Sequence, residues 1–234
     1  MTSDADKKSL IQTGVDILTS PAEAFASISH SPRALFPLGV IILAGIATTS
    51  YYFSILDFAW WIDDVLKTSD LSGEELETAR DSMQQMGPNS LIMGGLVATV
   101  LGTALLLLVQ TTYISLAASV MGSEKKFSHW LGLVSWSSLP YVVSSAAMAA
   151  NITLHPTGQL SARVLDPTSL SALGMGSAGG PYEGLLSSIS LPMLWSLALI
   201  VIGFAQWQKI TTMKSAIVML TPYALLLAAA VAFS

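Results

Sequence analysis

The chain has 234 residues, of which 52% are hydrophobic and only 11% carry a charge. Soluble domains carry about 25% charged residues, so this composition excludes an ordinary soluble fold. There is no cysteine, which excludes a disulfide, a thiolate nucleophile and a cysteine-bound metal. The formal net charge is -5, but the two signs lie in different segments of the chain.

Five long runs of the chain contain no Asp, Glu, Lys or Arg. They are 34–56, 82–123, 127–162, 184–208 and 215–234. A bilayer core of about 30 Å needs about 20 helical residues, and each run is long enough. The sequence therefore predicts an all-α polytopic membrane protein, a five-transmembrane-helix bundle that occupies residues 34–234. The predicted spans are Leu35–Leu56, Ser90–Val120, His129–Ala150, Leu185–Ala205 and Ser215–Phe233.

The segment 1–33, ahead of the first span, has the pattern of an amphipathic helix. Its apolar residues at helical spacing are Ile11, Val15, Leu18, Ala22 and Phe25. Ser20 followed by Pro21 and Glu23 is typical of a helix start, which predicts a second short helix. We expect a helix on the membrane surface, with Ile11, Val15, Leu18 and Phe25 directed toward lipid. The alternative is that the segment packs on the protein's own cytosolic loops.

The two long loops predicted on the outer side differ in composition. The loop 57–89 holds eight of the fifteen acidic residues, and Ser72 with Glu75 predicts an amphipathic helix that ends at Gly87-Pro88. The spacing of a calcium loop is missing, so we interpret these carboxylates as a solvated face. The loop 151–184 is rich in Gly, Pro and Ser, which predicts irregular or partly mobile structure.

Basic residues are divided unequally between the two sides of the predicted bundle. Seven of the ten fall on one side: Lys7, Lys8, Arg33, Lys125, Lys126, Lys209 and Lys214. Because Lys and Arg are retained on the cytoplasmic side, we expect the N-terminus in the cytosol and the C-terminus outside.

Motifs of nucleotide-binding and metal-binding proteins have little support in this sequence. Gly174–Gly179 fits the dinucleotide-binding pattern, but no predicted strand precedes it and no βαβ unit follows. The three histidines are too scattered for a metal site. We therefore predict no catalytic residue, no cofactor, no metal and no nucleic-acid partner.

The polar residues of the predicted spans can be interpreted in two ways. The spans contain no Asp, Glu, Lys or Arg, which argues against a proton-coupled pump. The polar and helix-bending residues that we single out are Thr103, Gln110, Ser135, Ser138 and Pro140. We favour hydrogen bonding and close packing between helices, with Gly95 and Gly102 as points of close approach. The alternative is a polar path for a small solute.

Three stretches of the chain resemble Yip1-domain proteins, specifically their bacterial branch. They are Ser20–Ile28, His129–Pro140 and Trp207–Ala216, the last of which leads into the span that contains Pro222. The resemblance implies a five-helix membrane domain with a cytosolic N-terminus, in a bacterial inner membrane. It supplies no catalytic residues.

Together these features favour a non-enzymatic membrane scaffold or adaptor. Its expected partners are the lipid bilayer and a further protein or a second copy of the chain. A small-solute channel or facilitator lined by Ser, Thr and Gln is the alternative, and flux into proteoliposomes separates the two.

Overall fold

A computed structural model describes residues 9–67, 69, 71–176, 180 and 182–232. Within these ranges the regular elements are helices, beside one bridge between Ser169 and Ser190, and the all-α prediction is confirmed. Of the residues singled out above, Lys7, Lys8, Gly179 and Phe233 lie outside the described residues. The helices are α1 Leu10–Thr19, α2 Pro21–Ile28, α3 Leu35–Ile55, α4 Phe58–Leu66, α5 Glu74–Val120, α6 Phe127–Ser137, α7 Pro140–Leu154, α8 Glu183–Ser188, α9 Leu191–Gln208 and α10 Thr212–Ala232, with a short 3-10 turn at Ala162–Val164.

The chain divides into two compact units. The first unit comprises Met1–Ile41, Ala104–Val143 and Leu191–Ser234, and it contains the larger group of buried apolar side chains. The second unit comprises Ile42–Thr103 and Ser144–Ser190, with a small core around Tyr52 and Ile152.

Four helices are long and apolar enough to cross a membrane, namely α3, α5, α9 and α10. They correspond to the first, second, fourth and fifth predicted spans. The fourth begins at Leu191 instead of Leu185, because residues 183–188 form the separate helix α8 and Ile189 is extended. The chain is thus an integral membrane protein with several membrane-spanning helices.

The third predicted span, His129–Ala150, is not a continuous helix. The chain leaves α6 at Ser137 and starts α7 at Pro140. Pro140 has no N–H to continue the helix, and its ring excludes the carbonyl one turn earlier. With 11 and 15 residues, α6 and α7 are each too short to cross a bilayer alone.

The predicted end of a helix at Gly87-Pro88 is confirmed. Gly87 has φ 71° and ψ 166°, so two helices meet there within the range of α5. The first of them carries Arg80, which forms an ion pair with Asp63 of α4. Helix α4 itself was not predicted; it begins after Asp57, whose carboxylate accepts a hydrogen bond from the Trp60 N–H at 3.1 Å.

The loop 151–184 is irregular, as predicted, but hydrogen bonds fix its described part. The Asn151 amide donates to the Val164 and Leu165 carbonyls at 2.9 and 3.0 Å. The Tyr52 hydroxyl donates to the Leu160 carbonyl at 2.8 Å. Gly158 has φ +69°, and a Cβ there would lie 2.0 Å from the Ile55 carbonyl oxygen. Only glycine therefore permits this loop to lie against the end of α3.

Because α6 and α7 are separate helices, the chain crosses the membrane either four or five times. Four crossings leave the two chain ends on the same side, and five leave them on opposite sides. We expect α6 and α7 together to complete one crossing. A reporter that is active only in the cytosol should then be active after Lys126 and silent after Ser234. Activity after Ser234 would contradict five crossings.

Candidate functional site

Four aromatic side chains from α2, α6 and α9 form a buried cluster in the first unit. We call Phe25, Trp130, Phe204 and Trp207 the aromatic cluster. The Trp130 ring lies 5.5 Å from Phe204 and 5.7 Å from Trp207 between ring centres, and Phe25 meets Trp207 edge to face at 6.4 Å. Such pairs contribute about 0.5–1.5 kcal/mol each beyond the burial of their surface. The cluster therefore fixes α2 and α6 against the end of α9.

Two backbone carbonyls at the end of α2 are satisfied from outside the helix. The Trp207 Nε1–H donates to the Phe25 carbonyl at 2.8 Å. The Lys125 ammonium donates to the Ser29 carbonyl at 2.9 Å. The last carbonyls of any helix lack partners within it, and cations are favourable near that end. These two bonds consequently hold α2 in one position.

Close backbone approach completes the packing of this region. A Cβ at Gly203 would lie 2.2 Å from Leu133 Cδ1 and 3.1 Å from the Phe25 ring. At Gly132, a Cβ would lie 2.4 Å from the Pro32 ring, and the Trp136 Nε1–H donates to the Pro32 carbonyl. The segment between α2 and α3 is therefore packed tightly against α6.

The predicted membrane-surface stripe is divided by the structure. Phe25 is fully buried, so the prediction that it faces lipid is wrong, and Leu18 is half-buried against the same core. Ile11 and Val15 are 73% and 48% exposed. The reason is the break at Ser20, where α1 ends and α2 starts in a new direction, so that one helical stripe does not continue across it.

A cavity of about 480 Å³ lies beside the aromatic cluster, and three of its nine lining residues are lysines. We call it the basic pocket. Its lining residues are Gly122, Ser123, Glu124, Lys125, Lys126, His129, Trp207, Gln208 and Lys209. The Lys125 ammonium stands 5.0 Å above the Trp207 ring, and its partial burial lowers the pKa of Lys125. Three lysines thus share this cavity with one carboxylate, that of Glu124.

Lys209 adopts an unusual backbone conformation at the end of α9. Its φ is 53°, in the left-handed region, and the Ile210 N–H donates to the Ala205 carbonyl at 3.1 Å. This is the helix end for which glycine is the usual choice. A non-glycine residue in that conformation costs about 1–2 kcal/mol.

A second cavity, of about 720 Å³, lies between the start of α2 and the end of α9. Its lining includes Ser20 and Glu23 of the α2 start and Gln206 and Thr212 from the α9–α10 region. Lys209 lines both cavities.

The residues predicted for a polar path or helix packing lie in different places. The Gln110 amide donates to the Tyr223 hydroxyl, which joins α5 to α10, and Ser138 donates to the Val134 carbonyl at 2.8 Å beside Pro140. The Ser135 hydroxyl is buried and, among the described residues, has no hydrogen-bond partner. Thr103 is half-buried in the second unit.

The two glycines predicted as packing points behave differently. A Cβ at Gly95 would lie 2.3 Å from the Phe53 ring, so close packing is present there. At Gly102 a Cβ would meet no described atom within 4 Å. The prediction of a tight contact at Gly102 is therefore wrong within the part of the chain that the structure describes.

The model of the Yip1 domain family matches residues 15–233. That range contains the whole aromatic cluster and the whole basic pocket. Comparisons with curated proteins and with solved structures gave no match.

The close approach at Gly203 generates a test of the packing. Gly203→Ala should melt at a lower temperature than Gly102→Ala in detergent. Both substitutions gain about 1 kcal/mol of helix preference, but only the Cβ at position 203 overpacks the core, which costs about 1–3 kcal/mol. Gly102→Ala is the matched control: it lies in a helix with open space around it, where alanine is favoured over glycine by about 1 kcal/mol. Equal melting of the two variants would contradict the tight contact of α9 with Leu133 and Phe25.

Proposed function

The chain belongs to the Yip1 domain family, and we propose that it acts as a non-enzymatic integral membrane scaffold or adaptor. The observation that carries this proposal is the fixed attachment of α1 and α2 to the helices α6 and α9. Phe25 and Trp207 attach α2 through a hydrogen bond and an edge-to-face ring contact, and Ile17 of α1 is buried in the same core. A scaffold needs a recognition element held in a defined position, and this arrangement supports one.

The exposed face of α1 is the surface that we assign to recognition. Ile17 is fully buried on the opposite face, whereas Ile11 and Val15 project outward with 73% and 48% exposure. Neighbouring exposed apolar side chains favour contact with a membrane surface or a partner. Because the spans tether α1 to the bilayer, its effective concentration at the lipid surface is high even when its intrinsic affinity is low.

The sidedness of this surface is part of the proposal. The basic residues Lys125, Lys126, Lys209 and Lys214 lie in the turns before α6 and around the start of α10, at one side of the proposed topology. Because Lys and Arg are retained on the cytoplasmic side, this distribution supports a cytosolic α1, and we place the protein in a bacterial inner membrane as part of the proposal. A second copy of the chain or another membrane protein is the expected protein partner.

The channel alternative requires one path that is lined by Thr103, Gln110, Ser135 and Ser138. Gln110 is bound to Tyr223, which supports a role in helix packing. The cavities described above are lined by residues other than these. Proteoliposomes loaded with a self-quenching dye should show no solute-driven volume change beyond that of empty vesicles. Transport that is lost on Gln110→Leu would favour the channel over the scaffold.

The surface position of α1 is tested with two adjacent, exposed residues. The chain has no cysteine, so Ile11→Cys and Gln12→Cys each introduce a single site for a nitroxide label. In nanodiscs that contain anionic lipid, the label at position 11 should be accessible to oxygen and shielded from a water-soluble nickel complex. The label at position 12 should show the opposite pattern. Equal access of the nickel complex at both positions would contradict a membrane-facing α1.

A further inference from the structure

We propose that the basic pocket binds the phosphate group of an anionic phospholipid headgroup. This inference rests on the proposed scaffold function, since it names the lipid that the protein engages near α1. It uses residues from three separate parts of the chain: the turn 122–126, the start of α6 and the end of α9.

The basic pocket has an excess of positive charge. Lys125, Lys126 and Lys209 line one cavity with a single carboxylate, Glu124. Among the described residues, none of these lysines forms an ion pair, whereas Arg80 and Asp63 do. Lys125 is partly buried, whereas Lys126 and Lys209 are exposed. Like charges gathered around one cavity repel one another and favour the binding of an anion. The cavity of about 480 Å³ falls within the range of small-ligand sites, about 300–1,000 Å³.

One hydrogen-bond donor of the basic pocket is already fixed in position. Lys125 is held by the Ser29 carbonyl and by the face of Trp207, so its ammonium is fixed before any ligand arrives. An ammonium has three N–H donors, and the Ser29 bond uses one of them. Lys209 lines the pocket from the end of α9 with an exposed side chain, and its backbone has the left-handed conformation. Because the Lys125 ammonium is already ordered, less entropy is lost when an anion binds to it.

The position of the pocket selects a lipid over a soluble anion. The pocket begins directly after the last residues of α5 and at the last residues of α9, two helices that are long and apolar enough to span the membrane. Span ends lie at the level of the lipid headgroups. On the last turns of α5, which lead into the turn 122–126, Leu116 and Val120 are 64% and 89% exposed, and they offer an apolar surface to acyl chains. Basic pockets between membrane helices are typical binding places of anionic headgroups.

Native mass spectrometry of the purified full chain in detergent micelles tests the proposal. The chain is titrated with phosphatidylglycerol and, in parallel, with phosphatidylcholine. We expect tighter binding of phosphatidylglycerol to the parent chain. Lys209→Asn should weaken it about fivefold, as expected for one lysine near an anionic lipid. Asparagine tolerates the left-handed conformation, so this variant removes the charge without disturbing the end of α9.

Lys214→Gln is the matched control, because Lys214 lies in the first turn of α10 and outside the lining of the pocket. It should bind phosphatidylglycerol like the parent. Equal weakening by Lys209→Asn and Lys214→Gln would overturn the pocket and leave only a diffuse attraction. Lys126→Gln serves as a second pocket variant with the same expectation if Lys209→Asn does not accumulate.

A competition arm identifies the source of the phosphate. Millimolar inorganic phosphate or glycerol 3-phosphate should leave the bound phosphatidylglycerol in place. Displacement of the lipid at these concentrations would overturn the lipid assignment in favour of a soluble phosphate compound. The labels at positions 11 and 12 report on α1 independently, so a failed pocket and a failed membrane-surface scaffold give different results.

Discussion

The hydrogen bond from Trp207 to the Phe25 carbonyl is the contact on which the first unit depends. Helix α2 has only 8 residues, a length that is marginal for an isolated helix in water. Its free C-terminal carbonyls would be costly to bury without partners. Trp207 satisfies one of them, and the edge-to-face contact of the same two side chains excludes water from the bond. The placement of α2, and through it of α1, follows from this pair of residues.

The membrane-spanning helices were predictable because the physical signal for them is local. An uncharged run of about 20 residues needs no tertiary information, and neither does the break at Gly87-Pro88, where a glycine with positive φ precedes a proline. The division at Pro140 was not predictable in the same way. Proline is tolerated inside membrane helices when neighbours satisfy the freed backbone groups. Whether it bends a helix or ends it depends on the packing of the buried residues around Trp136 and Ser138.

The candidate site could not be predicted from the helical periodicity of the sequence. The stripe from Ile11 to Phe25 assumes one uninterrupted helix, and the turn at Ser20 rotates its second half into the core. Lys125 and Lys209 carry a clear signal for sidedness, but nothing in their spacing shows that they line one cavity. Only the approach of α9 to α6, which the lack of a side chain at Gly203 permits, brings them together. The three stretches that resemble the family are far apart in the sequence, but their residues Phe25, Trp130 and Trp207 contact one another in the fold.

Several unfavourable local features are concentrated around the basic pocket. A lysine occupies the position at the end of α9 where glycine is the ordinary choice, and three ammonium groups share a cavity with one carboxylate. Among the described residues, His129 Nδ1 and Trp130 Nε1 are buried without hydrogen-bond partners. Each departure lowers the stability of the folded chain, and such costs persist mainly where function requires them. A bound anion would reduce the repulsion between the lysines. On the proposed lipid site, the strained backbone of Lys209 would place one of those charges at the level of the headgroups.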